Sequence, residues 1–165
     1  MDTNAQNAFL SKWYAEANRY MDNAKDALKK AGVKDNGYYK YGKYVRTACG
    51  IANIGVMVAL DAWLKVNGVP EPAKKREKTI FFYESNVEKI DESLAMRLNT
   101  ASNVFDVGYY NDLTMVKVIE GGFDAAYEII EKIKPEQLVE VKETKGQGLK
   151  RALNNLLISA AVMFR

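Results

Sequence analysis

The sequence predicts an all-α protein, an up-down-up-down four-helix bundle with an additional C-terminal helix. Three observations predict it. Apolar residues recur three or four positions apart in five stretches, no stretch sustains strand alternation, and the breaks carry Gly, Asn and Pro. The breaks are short enough to favour antiparallel neighbours. With 165 residues and 48% apolar content, the chain suits one domain, with a bundle core over about 5–133 and an extension over about 135–165.

The first helix is expected over residues 5–31, where Phe9, Trp13, Ala17, Tyr20, Ala24 and Leu28 form one stripe. Gly32 stands at its stop, and Asp35, Asn36 and Gly37 form a turn. A second helix is expected from about Tyr39–Lys43 to Val66, and the small residues of "ACGIANIGVMVA" suit close approach by a neighbour. Asn67-Gly68, Pro70 and Pro72 end it. The third stripe runs from Ile80 to Phe105, with a kink expected near Asp91–Ser93, where Asp91 suits an N-cap, and a stop at Gly108. Asp112 is the expected N-cap of a fourth helix, whose stripe is Val116, Ile119, Phe123, Ala126, Ile130 and Ile133. Gly121-Gly122 interrupts that pattern. After the polar break "KETKGQG", Leu149, Leu153, Leu156, Ala160 and Met163 mark the last helix.

Charge and composition exclude several classes. A net charge of +3 is too small to be a nucleic-acid signature. With no histidine and one cysteine, Cys49, di-iron and zinc sites are closed, and no disulfide framework exists within the chain. Cys49 lies in an apolar stretch, where a thiol is core rather than nucleophile. The N-terminal residues lack a secretory pattern, and the longest uncharged apolar-rich run, Ala48–Leu60, is shorter than the roughly 20 residues of a membrane helix. A cytoplasmic protein that uses no membrane is expected.

Gly-Tyr-Tyr occurs twice, at 37–39 and 108–110, each time after a helical stretch. In an up-down-up-down bundle both fall at the same end. Tyr38, Tyr39, Tyr41, Lys43, Arg46, Tyr109 and Tyr110 are therefore candidate ligand-binding residues, aromatic faces with cations beside them. The alternative is that the tyrosines plug the bundle end and that Arg46 pairs with Asp106 or Asp112. Glu84, Glu88 and Asp91 share a helix face and permit a magnesium site, although a solvated face explains them better. No catalytic residue, metal or cofactor is expected.

The order "RYMDNAKDAL", "YYKYGKYVRTACGIANIGVMVALDAWL", a Pro-bearing linker, and "GYYND" before "VKVIEGGFDAAYEII" resembles a small bacterial family of HEPN-like helical domains, over about residues 15–133. The resemblance implies a four-helix bundle. The broader HEPN class is named for nucleotide binding and includes nucleases, whose motif is an Arg followed after four to six residues by a His. Arg46 has the Arg position, but "TACGIANIG" follows it and the histidine is absent. Asn53 stands near that place and cannot relay a proton near neutral pH.

The expected function is a non-enzymatic helical module that binds a protein partner or self-associates, as a homodimer through the last helix. The alternatives are an HEPN-like nucleotide- or RNA-binding protein without nuclease activity and, behind it, a carboxylate–magnesium nucleotide hydrolase.

Overall fold

The computed structural model describes residues 2–34, 36–132, 134 and 135, with the side chain of Lys75 set aside. Its helices are α1 (Thr3–Lys29), α2 (Gly42–Val66), α3 (Ile80–Ile90), α4 (Glu92–Tyr110) and α5 (Val116–Lys132), with a 3₁₀ turn at Lys75–Glu77. The described residues include isolated bridges, Val33 with Tyr39 and Tyr38 with Met115, and no extended strand.

Side-chain pairs fix the helix directions. Between α1 and α2, Phe9 lies by Lys65 and Ala17 by Gly55, so rising numbers meet falling ones. Cys49 meets Gly108 across α2 and α4, and Asp61 meets Tyr83 lower down, on α3. Asp91 pairs with Lys132 and Arg97 with Glu128 across α4 and α5. Tyr14 donates to Glu131, and Lys25 lies over the Tyr127 ring, which closes α5 against α1. α1 with α2, α2 with α4, α4 with α5 and α5 with α1 each run antiparallel, and the expected up-down-up-down bundle results.

The central helix is α2, in contact with all the others. Residues 47–60 carry no charge, as a helix enclosed by neighbours requires. By length and composition α2 is apolar enough to cross a membrane, and its enclosed place in the bundle accounts for that composition. A Cβ on Gly55 would press on Ala17 and Tyr20 of α1, so the expected close approach is found there. Facing α2, α1 buries Leu10, Ala17, Met21 and Ala24, whereas Phe9, Trp13 and Tyr20 are only half-buried. Ala17 and Ala24 of the expected stripe are thus at the packed face, and its large rings lie at the margin, because small side chains and Met21 fit the narrow α1–α2 spacing better.

The break near Asp91 is where the sequence placed it. Asp91 Oδ1 accepts the Leu94 N–H at 3.0 Å and caps α4, while Oδ2 lies 2.7 Å from Lys132 Nζ. Burial pushes the Asp91 carboxyl up, but the bonds from Lys132, Leu94 and Ser93 outweigh it and hold the group below the usual carboxylate range.

Other expectations are corrected. Gly108 does not stop the helix: α4 runs on to Tyr110, and Gly108 is buried where any Cβ would strike the Cys49 sulfur. Asp112 is not an N-cap, since α5 begins four residues later at Val116; Asp112 instead takes a left-handed φ of 56° in the connection. Gly121-Gly122 does not interrupt α5. Gly122 lies against Val104 of α4, whereas nothing stands within 4 Å of a Cβ on Gly121. The helix expected over Leu149–Met163, and the homodimer expected through it, fall outside the described residues.

Two predictions follow from this packing. Gly121→Ala should raise stability by up to about 1 kcal/mol, through helix propensity alone. Gly122→Ala should lower it by about 1–3 kcal/mol, because the new Cβ would strike Val104 Cγ1 and lie 2.7 Å from its Cβ, too close for a rotamer change alone to relieve. Urea melts of the two variants, read by circular dichroism, check the opposite signs. For Asp91, a folded pKa below the unfolded one of about 3.9 means that its charge stabilises above that value and loses its effect as pH falls through the folded pKa. Wild type should therefore exceed Asp91→Asn in stability at pH 7, with the difference lost as pH falls through the folded pKa. Asp91→Ala should lose about a further 1 kcal/mol at every pH, with the cap.

Candidate functional site

The turn after α1 and the connection after α4 meet at one end. Tyr39 N–H donates to the Thr114 carbonyl at 2.7 Å, and Val116 N–H donates to the Gly37 carbonyl at 3.0 Å. Both Gly-Tyr-Tyr segments thus share one end of the bundle, the first in a turn and the second as the last turn of α4.

The seven candidate residues occupy different settings at that end. Tyr39 is buried; burial, with Glu120 and Cys49 nearby, pushes its phenol up to about 12. Tyr38 and Tyr41 are exposed, with Lys40 5.0 Å above the Tyr41 ring and Lys43 4.9 Å above that of Tyr44. Arg46 pairs with Asp112 at 2.5 Å, one of the two partners expected for it. The same carboxylate lies against Gly42, in the first turn of α2, where negative charge is favourable. Tyr109 and Tyr110 form an edge-to-face pair 4.8 Å apart, with Tyr109 over Gly50 and Tyr110 71% exposed. The structure therefore brings Tyr109 and Tyr110 together at α4, and Arg46 with Asp112 one helical turn away.

Below Tyr109, α2 and α4 leave a cleft. Its outer part, about 500 Å³, is walled by Ile51, Ile54, Tyr109 and Tyr110. Its inner part, about 250 Å³, reaches Ser102, Tyr83 and Lys78, and Asn53 and Asp106 line both parts. Ser102 and Asp106 lie one turn apart on α4 and so present one face. Ser102 is 6% exposed, and neither its Oγ nor the buried Asn53 Oδ1 has a hydrogen-bond partner within the protein. Lys78 is engaged by Asp61 at 2.7 Å, and the Tyr83 hydroxyl donates to that same carboxylate at 2.8 Å. Burial and the bond to Asp61 push the Tyr83 phenol up. This cleft was missed at the level of sequence, although Ser102 and Asp106 stand out as polar residues beside the apolar stripe Leu94, Leu98, Ala101, Phe105.

The other candidate chemistry is diverted. Asp91 serves as cap and ion pair, leaving Glu84 and Glu88 without it, and the described residues hold no group of three or more potential protein ligands for a metal. Cys49 is fully buried, and burial pushes its thiol up to about 12.

Residues 12–135 match the family described as domain of unknown function (DUF5618). The chain belongs to this family. No curated protein matches it. Among solved structures, a protein of unknown function from Dyadobacter fermentans is similar, with 30% identity and a TM-score of 0.68, covering 76% of this chain and 97% of that one. Neither description names a HEPN relationship. The DUF5618 match spans most of α1 and all of α2 to α5, so it takes in both the aromatic end and the cleft.

A buried hydroxyl without a partner lowers the stability of this DUF5618 bundle. Ser102→Ala should therefore raise unfolding free energy by about 1 kcal/mol, since it removes an unpaired polar group and gains helix propensity. Chemical denaturation of the ligand-free protein checks the sign.

Proposed function

We propose that the protein is a non-enzymatic helical module that self-associates through its aromatic end, a second copy of the chain being the occupant. One observation carries the reading. Of the thirteen large apolar side chains exposed among the described residues, eight (Val33, Tyr38, Tyr41, Val107, Tyr109, Tyr110, Met115 and Val118) belong to the end where the α1–α2 turn meets the α4–α5 connection. Gathered exposed apolar surface marks interaction sites, and tyrosine is favoured in interface cores. The surface also suits a two-fold contact, because it offers both tyrosine faces and the cations Lys40 and Lys43 that can sit on them. Residues 149–163 would add apolar area to such a dimer. The absence of histidine and the buried thiol of Cys49 support a non-catalytic role.

A second reading, HEPN-like nucleotide or RNA binding without cleavage, draws on the same exposed tyrosines and on Lys40 and Lys43. The pairing of Arg46 with Asp112 weakens it, since that cation is already engaged. A magnesium hydrolase built on Glu84 and Glu88 loses its third carboxylate to Lys132.

Light scattering on the full chain tests self-association. A dimer at about 100 μM is expected, weakened about tenfold or more by Tyr110→Glu or Tyr41→Glu, both exposed positions that leave the core untouched. A monomer at that concentration overturns the reading. So does a dimer that ignores both tyrosine substitutions and is lost with Leu156→Glu, which would move the contact to the C-terminal residues. A thermal shift with nucleotide in place of dimerisation would establish the second reading.

A further inference from the structure

We propose that the cleft between α2 and α4 binds a small organic cation, a primary ammonium or guanidinium carrying an aromatic or aliphatic body. The inference goes beyond self-association and does not require it: its polar groups lie on the flank of the bundle, and it shares only Tyr109 and Tyr110 with the aromatic end.

Two facing stripes build the site. Gly50, Asn53 and Met57 follow one another on α2 at helical spacing, and Ser102, Asp106 and Tyr109 do so on α4. The adjoining hollows of about 500 and about 250 Å³ share Asn53 and Asp106, and together they have the size of a small-molecule pocket. Ser102 is more than nine-tenths buried and lines the inner hollow with its Oγ unpaired, while Asn53 Oδ1, also unpaired, stands between the two. Buried polar atoms in native proteins nearly always have partners, so two unpaired ones in a single hollow mark a place shaped for a ligand.

The chemistry of these groups selects the ligand. Asn53 Oδ1 is an acceptor, Asp106 offers carboxylate oxygens, and the Ser102 hydroxyl adapts to either role. Asp106 forms no ion pair among the described residues, whereas Lys78, the lining cation, is matched by Asp61. The cleft therefore carries one uncompensated negative charge beside the acceptor oxygens of Asn53 and Ser102, which suits a charged donor and disfavours a carboxylate or phosphate. Above the polar floor stand Ile51, Ile54 and the rings of Tyr109 and Tyr110. An apolar body fits between them, and the ring faces add to the attraction for a cation.

Calorimetry on the full chain with three probes of one skeleton tests the proposal: 2-phenylethylamine, 2-phenylethanol and phenylacetate. The amine should bind saturably and about tenfold or more tighter than the alcohol, with phenylacetate not saturating, and its affinity should fall as salt rises. Asp106→Asn, at an exposed position, should weaken the amine about fivefold or more, and Ser102→Ala about threefold, while Asp124→Asn on exposed α5 surface changes nothing. Amide shifts on titration should centre on Gly50 and Ser102. Failure of all three probes to saturate overturns the site, as does equal binding of amine and carboxylate or indifference of the amine to Asp106→Asn. Light scattering on the same samples reports self-association separately, so either claim can fail alone.

Discussion

The close approach of α2 to its neighbours is the constraint on which the rest of the structure depends. On the α1 side Gly55 lies against Ala17, Tyr20 and Met21, and on the α4 side Cys49 lies against Gly108. Each contact fixes a distance and also a height along the helix axis. The Cys49–Gly108 contact sets α4 so that Tyr109 overlies Gly50, and it places Ser102 and Asp106 along the same seam as Asn53. A methyl group at Gly108 would move α4 outward, and the cleft would change shape with it. Interiors packed to crystal-like density transmit such changes because little free volume absorbs them.

The seam between α2 and α4 changes character from its inner to its outer side. Towards the core it is closed by Ala48, Ala52, Val56, Leu98, Ala101 and Phe105, which burial stabilises by about 1.5–3 kcal/mol for each large side chain. Towards solvent, Asn53, Ser102 and Asp106 replace apolar contact with polar groups. An apolar residue at 102 would complete the seam and stabilise it. A hydroxyl that lowers stability at the boundary of a core conflicts with local packing, and such conflicts concentrate where a fold is used for something besides its own stability.

Much of the bundle is legible in the sequence because helix periodicity and turn chemistry are local. The cap at Asp91, the breaks at Gly32 and Asn67-Gly68, and the spacing role of Gly55 depend on residues a few positions apart or on one small side chain. What is not legible depends on partners far along the chain. A glycine near a helix end reads as a stop, yet Gly108 is inside α4 because Cys49, fifty-nine positions earlier, needs its missing side chain. Asp112 reads as a cap, yet its carboxylate is turned to Arg46 and to the start of α2. The common end of the two Gly-Tyr-Tyr segments follows from topology alone. The different settings of Tyr39, buried, and Tyr110, exposed, follow from which face of each element meets the core.

Proton handling is where the proposed non-enzymatic role meets the chemistry of the buried groups. General acid–base catalysis near neutral pH needs a group whose pKa lies near the working pH. Histidine, the usual such group, is absent from the chain. Burial moves Cys49 and Tyr39 further from neutrality, up to about 12 in each case, and Tyr83 moves the same way. Asp91 moves in the opposite direction, held ionised by Lys132, Leu94 and Ser93 after burial has opposed it. Every resolved shift among these buried or half-buried groups therefore leads away from the range in which a proton is exchanged during a reaction. Such groups can still hold a charge or a hydrogen bond fixed while a ligand arrives, and the recognition proposed for the exposed tyrosines and the cleft draws on that behaviour.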